Sequence, residues 1–440
     1  MSRLAGVLSR AEALAKPTAE EDRRIGKLAR SLLASTKRSA ARFPETKGVL
    51  LGGSYAKGTW LSGHVDLDIF VKLDPSTSDA EFERIGLRIG EATTRGYPSG
   101  KKFAQHPYTE ATVDGVRVNI VPCFAVERGR WKSAADRSPF HVGLVGRLPE
   151  RTKSQIRLLK LFMHAIGVYG AEIEKRGFSG YVAEVLVMKL GRFEDVLGWF
   201  ANKAGPDEGK TFTLPDPVDE GRDLGIAVSG ESLGRMVLAS REFLRRPHVA
   251  FFREMTGRER PPMRERVVVL VFSHAAMSED TLWGELRRTT KHLVKHVENQ
   301  GFAIARSMAA SDNNKRSAIM LIPEVDELPR LEQRLGPTVD RKKDVEAFLE
   351  SNANDSRLVW VDDEARVRML KPRRHTRLKA LLEDLARGRE GSIGASREVE
   401  VGMRRSASIL SGAQLARAAS SASWLRTGIR EIATDAIGTR

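Results

Sequence analysis

The sequence predicts a multidomain α/β protein: a mixed sheet with flanking helices, then a helical centre, a smaller α/β module and a basic helical tail. Three observations lead there. At 440 residues the chain is too long for one compact core. Short β-rich stretches alternate with amphipathic helical ones before residue 145, and helical periodicity dominates 150–250. Positive charge is concentrated at the end: residues 371–440 hold 14 Lys and Arg against 7 Asp and Glu.

The elements follow in order. Residues 1–45 read as helical, with Ile25, Leu28, Ala29 and Leu32 at helical spacing. Val49-Leu50-Leu51 is a short strand ending at Gly52-Gly53, and a helix start follows over 54–62 with Ser54 at the cap. Val65–Leu73 alternates as a strand, and Asp79–Arg95 is helical. Tyr108–Val113 and Val116–Val121 are strands joined by Asp114-Gly115, a strong hairpin signal.

Farther on, Ile156, Leu159, Phe162, Met163 and Ile166 form an apolar stripe. Lys153, Arg157, Lys160 and His164 form a basic one, a pattern that is more often a solvated face than a ligand site. Gly205–Pro217 reads as a loop and Pro261-Pro262 as a boundary. Beyond it come a strand at Val267–Phe272, a helix at Thr281–Gln300, and strands at Ala303–Met308 and Ala318–Ile322. A helix near Leu328–Leu335 and a hairpin of Leu358–Asp362 with Val367–Leu370 follow. The order resembles an RNA-recognition fold without its aromatic signature. The expected domains are 1–145, 146–260, 261–371 and 372–440.

Composition narrows the function. The formal charge of +16 favours polyanionic partners by Coulomb attraction and counterion release. Only 5 Tyr and 6 Trp argue against long stacking platforms for single strands. Cys123 is the only cysteine, which excludes an intrachain disulfide and fits a reducing compartment. The N-terminus lacks the apolar run of a signal peptide, and no stretch reaches the length of a membrane span. A cytoplasmic protein is expected.

The chemistry is carried by Gly52-Gly53-Ser54-Tyr55-Ala56-Lys57-Gly58-Thr59-Trp60, followed by Asp66-Leu67-Asp68. Gly52 and Gly53 let the backbone turn tightly and approach a phosphate. Ser54 and the free N–H groups of its turn can hold a triphosphate, and Lys57 adds a positive charge one turn on. Asp66 and Asp68 lie two apart on a strand, so both carboxylates share a face. Side by side they repel unless a cation lies between them, and oxygen-only ligation points to Mg²⁺. Neither half is specific alone. The serine twelve residues before the first aspartate, with the aspartates on a strand, makes the pattern specific.

The pattern is similar to that of the polymerase β superfamily. Its longer wording resembles the archaeal-type (class I) CCA-adding enzymes, through GGSYAKGTWLSGHVDLDIFV, HPYTEATVDGVRVNIVPCF, RSPFHVG, RLLKLFMHAIGVYGAEIEKRGFSGYVAEVLV and LPDPVDEGRDLGIAVS. Weaker similarity continues through RLGPTVDRKKDVEAFLE to the C-terminus. The resemblance implies a polymerase β-type palm in 1–145, a helical nucleotide-binding neck in 146–260, an α/β body and a tRNA-gripping tail. It implies template-independent addition of CMP, CMP and AMP to the 3′ end of tRNA, from CTP and ATP with Mg²⁺, by a homodimer. Gly53, Ser54 and Lys57 then match triphosphate-binding positions, and Asp66 and Asp68 the metal ligands. His141, Lys160 and Tyr169 match residues that hold the incoming nucleotide, and Arg222 the arginine that reads its base.

Two departures from the family matter. Asn119 stands where a third metal-binding carboxylate is expected, so the expected metal set is Asp66, Asp68 and an uncharged Asn119. Lys57 stands where arginine is usual, a lesser change. The second departure is Gln105, where an acidic residue that positions the base-reading arginine is expected. Two rivals stay open. One is a second-messenger synthase or poly(A)-type polymerase sharing the same core; the other is a non-catalytic tRNA-binding homologue, suggested by Asn119.

Overall fold

A computed structural model of the chain describes residues 3–103, 105–203, 212–253, 265–391 and 393–434. They form two compact units that divide after residue 257. The expected boundary at Pro261-Pro262 and most of the loop at 205–217 lie outside the described residues.

The first unit begins with helices α1 (Arg3–Ala15) and α2 (Ala19–Ala40). Strands β1 (Thr46–Leu51), β2 (Asp66–Leu73), β3 (Ser99–Phe103), β4 (Pro107–Val113) and β5 (Val116–Phe124) make one sheet in the order β1-β2-β5-β4-β3. β2 and β5 are parallel, and the other neighbours are antiparallel. Short helix α3 (Gly53–Lys57) and helix α4 (Asp79–Thr93) leave β1 and β2 respectively.

Strand alternation gives the sheet two faces of opposite character. Leu67, Ile69, Val118 and Ile120 pack on Ile25, Ala29, Phe82 and Ile85 of α2 and α4. The opposite face carries the polar residues of β2 and β5. Asp114 and Gly115 both have left-handed backbone, φ 50° and 76°, as a two-residue hairpin of primed type requires. Strand β3 has no counterpart in the sequence reading: Ser-Gly-Lys-Lys-Phe has no alternation, and it becomes a strand by pairing with β4. Ser54 is not the helix cap. Gly52 holds that place, and Ser54 falls inside the first turn.

Helices α5 (Ser138–Gly146), α6 (Glu150–Ala165), α7 (Gly180–Leu190), α8 (Phe193–Ala201) and α9 (Gly230–Arg245) complete this unit. They close around Phe162, Phe193, Phe200, Phe243, Phe251 and Phe252. Ala11 of α1 is buried in this helical core, so the first helix packs with the neck rather than with the sheet.

The second unit holds a four-stranded sheet ordered β12-β6-β8-β7, from β6 (Val268–Ser273), β7 (Ile304–Ser311), β8 (Arg316–Pro323) and β12 (Ser408–Leu410). Helix α10 (Glu279–Asn299) covers one face through Leu282, Leu286, Leu293 and Val297. A separate three-stranded sheet joins β9 (Leu331–Thr338), β10 (Leu358–Val361) and β11 (Arg366–Pro372), with α11 (Lys342–Asn352) between β9 and β10. The expected helix near Leu328–Leu335 is therefore wrong. Leu328, Leu331 and Leu335 match a helical period, but the segment is β9, paired to β11, and Leu331 and Leu335 are exposed.

Residues from 372 onward, expected as a basic helical tail, are packed into this unit. Strand β12 pairs with β6. Helices α12 (Leu378–Ala386) and α13 (Arg397–Ser406) bury Leu378, Leu382, Val399 and Met403 in one core. Helices α14 (Gly412–Ser421) and α15 (Ser423–Ile432) bury Leu415, Leu425 and Ile429 in another. Its positive charge rides on the outside of a packed structure.

Candidate active site

The carboxylates are placed by strand alternation. Asp66 and Asp68 project from β2 on the face away from α2 and α4, alternating with buried Leu67 and Ile69. Asp68 is in register with Asn119 of β5, and Asp66 with Arg117. Asn119 Nδ2 donates to Asp68 Oδ1 at 2.8 Å, while the buried Asn119 Oδ1 has no partner. Arg117 Nε donates to Asp66 Oδ1 at 3.0 Å, and its Nη2 to the other oxygen. Sequence reasoning missed this ion pair, although Arg117 was readable as lying on the same face as Asn119.

Burial raises the Asp68 carboxyl above its ordinary range; the Asn119 bond opposes this, and the charge of Asp66 adds to it. Gly53 has left-handed backbone, φ 62°, and a Cβ there would collide with Asp68 Oδ2. Only glycine lets the carboxylate pass so close to the α3 backbone. The donors here are all oxygen, and one of them, Asn119 Oδ1, is buried and unsatisfied. That set fits a hard divalent cation of the kind nucleotidyltransferases generally use.

A second cluster lies beneath the turn after α3. Lys57 Nζ donates to Glu184 Oε2 at 2.6 Å; Lys160 Nζ and Thr59 Oγ1 donate to Glu184 Oε1 at 2.7 and 2.6 Å. All four side chains are buried. Burial alone would raise Glu184, but the charges and hydrogen bonds of Lys160 and Lys57 outweigh it and hold the carboxyl low. Burial lowers Lys160, and Glu184 opposes it. Two ammonium groups surround one carboxylate, so the group keeps one unit of positive charge. Glu184 was absent from the sequence-based set, and Lys57 makes its shortest contact with it rather than standing free.

The basic stripe of α6 proves to be a joint. Lys153 Nζ donates to Gly146 O at 2.8 Å, Arg157 Nη1 to Gly58 O at 2.7 Å, and Lys160 to Thr59. His164 stacks on Tyr169 at a centroid distance of 4.2 Å and lies tilted against His64 at 4.8 Å. A Cβ on Gly180 would lie 2.6 Å from the Tyr169 hydroxyl and 3.6 Å from Lys160 Nζ, so these two expected site residues converge.

His141 and Arg222 meet at Asp216, which is fully buried. Tyr181 Oη donates to Asp216 Oδ1 at 2.8 Å, and Arg222 Nη1 to Oδ2 at 3.3 Å. His141 stacks on Tyr181 at 3.7 Å between centroids. Its Nε2 lies 3.4 Å from Asp216 Oδ2, without the angle of a hydrogen bond, and is left buried and unpartnered. Burial pushes the imidazole down to about 4, with Asp216 opposing, so it is neutral at pH 7. Gln105 is not what holds Arg222: its Oε1 accepts from the Ala134 amide. Asp216 does so instead. It stands within DPVDEGRD, among four carboxylates of which the sequence marks none as buried.

Among the described residues one other set of metal-ligand types converges, His375, Asp384 and Glu390 in the second unit. Arg389 pairs with Asp384 and Arg374 with Glu390, each at 3.0 Å. Two guanidinium groups already balance the two carboxylates, which is the arrangement of a structural cluster.

Three family models match the chain: a nucleotidyltransferase domain over residues 35–141, the second domain of tRNA nucleotidyltransferase over 154–253, and the C-terminal domain of CCA-adding enzyme over 264–412. Among curated relatives, the CCA-adding enzyme of Pyrobaculum neutrophilum is 36% identical over 392 residues, covering 86% of this chain and 92% of that protein. The CCA-adding enzyme of Methanothermobacter thermautotrophicus is 33% identical, covering 84% and 86%. Solved structures that match the chain include a cytoplasmic RNA terminal U-transferase, at 14% identity and a TM-score of 0.44 over 57% of this chain and 98% of that one.

Proposed function

The chain belongs to the family of CCA-adding enzymes, and from that premise we propose that it extends tRNA at its 3′ end with two CMP and one AMP. CTP and ATP are the donors, and no nucleic-acid template is used. The observation that carries this reading is the pair Asp66 and Asp68 on the polar sheet face, with Gly53 packed against Asp68.

In the reaction the terminal 3′-oxygen of tRNA attacks the α-phosphorus of the nucleotide and pyrophosphate leaves. Asp66, Asp68 and the Asn119 oxygen are the residues that would hold Mg²⁺. When bound, the metal lowers the pKa of the 3′-hydroxyl and offsets charge on the leaving group. Asp66, paired with Arg117 in this structure, would turn from that guanidinium to the metal. Ser54 and the net positive charge of Lys57 and Lys160 with Glu184 attract the triphosphate. Arg222, steered by Asp216, offers a planar set of donors to the base edge of cytosine or adenine. His141 and Tyr181 back that arginine through their contacts with Asp216, and Tyr169 holds its place beside Lys160.

Among the described residues, no helix is long and apolar enough to cross a membrane. With tRNA as substrate, we place the enzyme in the cytoplasm. The family resemblance supports a homodimer, to be checked by sedimentation. The proposal is tested with a tRNA transcript that ends before CCA. Wild-type protein should incorporate labelled CMP, and Asp68→Ala should lose at least about a hundredfold in rate, since charge stabilisation by a held metal amounts to several kcal/mol. Binding of the transcript should survive, because phosphate contacts set affinity and lie elsewhere. Near-normal incorporation by Asp68→Ala would remove the proposed site. Absence of turnover in the wild type would favour a non-catalytic homologue, the reading Asn119 suggests.

A further inference from the structure

The metal-binding face is short of charge. Asp66 is paired with Arg117, and Asn119 is neutral, so Asp68 is the one uncompensated anion among these four residues. One net negative charge is a poor host for divalent ions, whose oxygen sites are built from carboxylates.

The hairpin register brings a third carboxylate into line. Asn119 pairs directly with Asp68 on one side and with Glu110 of β4 on the other. Glu110 lies between buried Thr109 and Ala111, so its side chain leaves the sheet on the same face as Asp68 and Asn119. Asp68, Asn119 and Glu110 therefore form one row across three adjacent strands. We propose that Glu110 supplies the third carboxylate, ligating the metal across the neutral Asn119 position. This rests on the nucleotidyltransferase reading above and assigns a residue to its metal site.

Distances permit it. Adjacent strands are about 4.8 Å apart, so the Asp68 and Glu110 backbones are separated by about 10 Å. An ion with ligand bonds of about 2.1 Å spans about 4 Å of that gap, leaving about 3 Å of sideways reach for each side chain. Glu is one methylene longer than Asp, which is what a position one strand farther away requires. Glu110 is also free to move. Its ion pair with Lys102 is long, 3.9 Å, with both side chains partly exposed, so leaving it costs little. Gly100, its partner on β3, offers no side chain to block the turn. Asn119 Oδ1, buried and unpartnered in the residue between Asp68 and Glu110 in the row, becomes satisfied when the ion arrives. As the metal binds, Glu110 turns from Lys102 toward Asn119.

The test measures Mn²⁺ binding to the full-length protein, by paramagnetic resonance, with a non-hydrolysable CTP analogue present. Four proteins are compared: wild type, Glu110→Gln, Asp68→Asn, and the double variant Glu110→Gln with Asn119→Asp. Melting curves without metal check that each is folded. Glu110→Gln should weaken Mn²⁺ by at least about tenfold, the effect of losing even an outer partner of a metal ligand. The double variant should recover wild-type affinity, because its Asn119→Asp change returns the charge to the centre of the row. Glu110→Gln with unchanged affinity, beside a weakened Asp68→Asn, overturns the role of Glu110 and leaves the site standing. A weakening that Asn119→Asp does not repair also overturns it. An unaffected Asp68→Asn removes the metal face itself.

Discussion

Asp216 and His141 show how a single buried residue sets the chemistry of its neighbours. Asp216 accepts from Tyr181, Arg222 and the Val218 amide, which keeps its carboxyl below the ordinary range despite complete burial. His141 against it is depressed to about 4 from an ordinary value of 6.5. The sign of the pH effect follows. The unfolded chain takes up this proton at a higher pH than the folded one, so folding loses stability as pH falls below about 6.5, and the loss is complete near 4. The whole shift corresponds to about 3 kcal/mol. His141→Gln should therefore flatten the acid limb of a chemical-denaturation series between those limits. An unchanged limb would mean that His141 is not held neutral.

Helix α3 illustrates why an element of five residues can be indispensable. Its first residue, Gly53, has left-handed backbone and lies under Asp68, and its last, Lys57, reaches Glu184 in α7. Gly53→Ala should cost about 1–2 kcal/mol in backbone strain alone, and should displace Asp68 as well. Denaturant titration reads the first effect, and CMP incorporation should drop by at least about tenfold from the second. Much of this region was legible beforehand, because glycine pairs, alternation and a two-residue turn are local signals. The hairpin register was countable too: with Asp114-Gly115 as the turn, Val113 meets Val116, and counting back pairs Glu110 with Asn119, although in sequence Glu110 reads as no obvious substitute for the missing carboxylate. What local signals could not reveal was long-range partnership. Glu184 lies 127 residues from Lys57. Strand β9 was misread for the same reason, since pairing with β11 overrode a helical spacing of leucines.

At the level of the whole molecule, charge and packing need separating. Removing residues from 372 onward would strip β12 and the apolar residues Leu378, Leu382, Ile409 and Leu425 from two cores, so truncation tests stability rather than RNA contact. Exposed charge is the cleaner probe. Lys379, Arg387, Arg404, Arg405 and Arg417 line one cleft on the second unit. Arg405→Glu with Arg417→Glu should weaken tRNA binding and lower the slope of log affinity against log salt by about 1 per lost phosphate contact. An unaltered slope would show that this cleft does not touch tRNA. The proposed reaction runs on the residues of the first unit whichever surface grips the substrate, so the most direct test is the product itself. A tRNA transcript ending before CCA is extended by wild-type protein in Mg²⁺, and the products are resolved to one nucleotide. CTP alone should yield two additions, CTP with ATP three, and extension should then stop. An open-ended tail, or nucleotides joined to each other in the absence of tRNA, would contradict CCA addition.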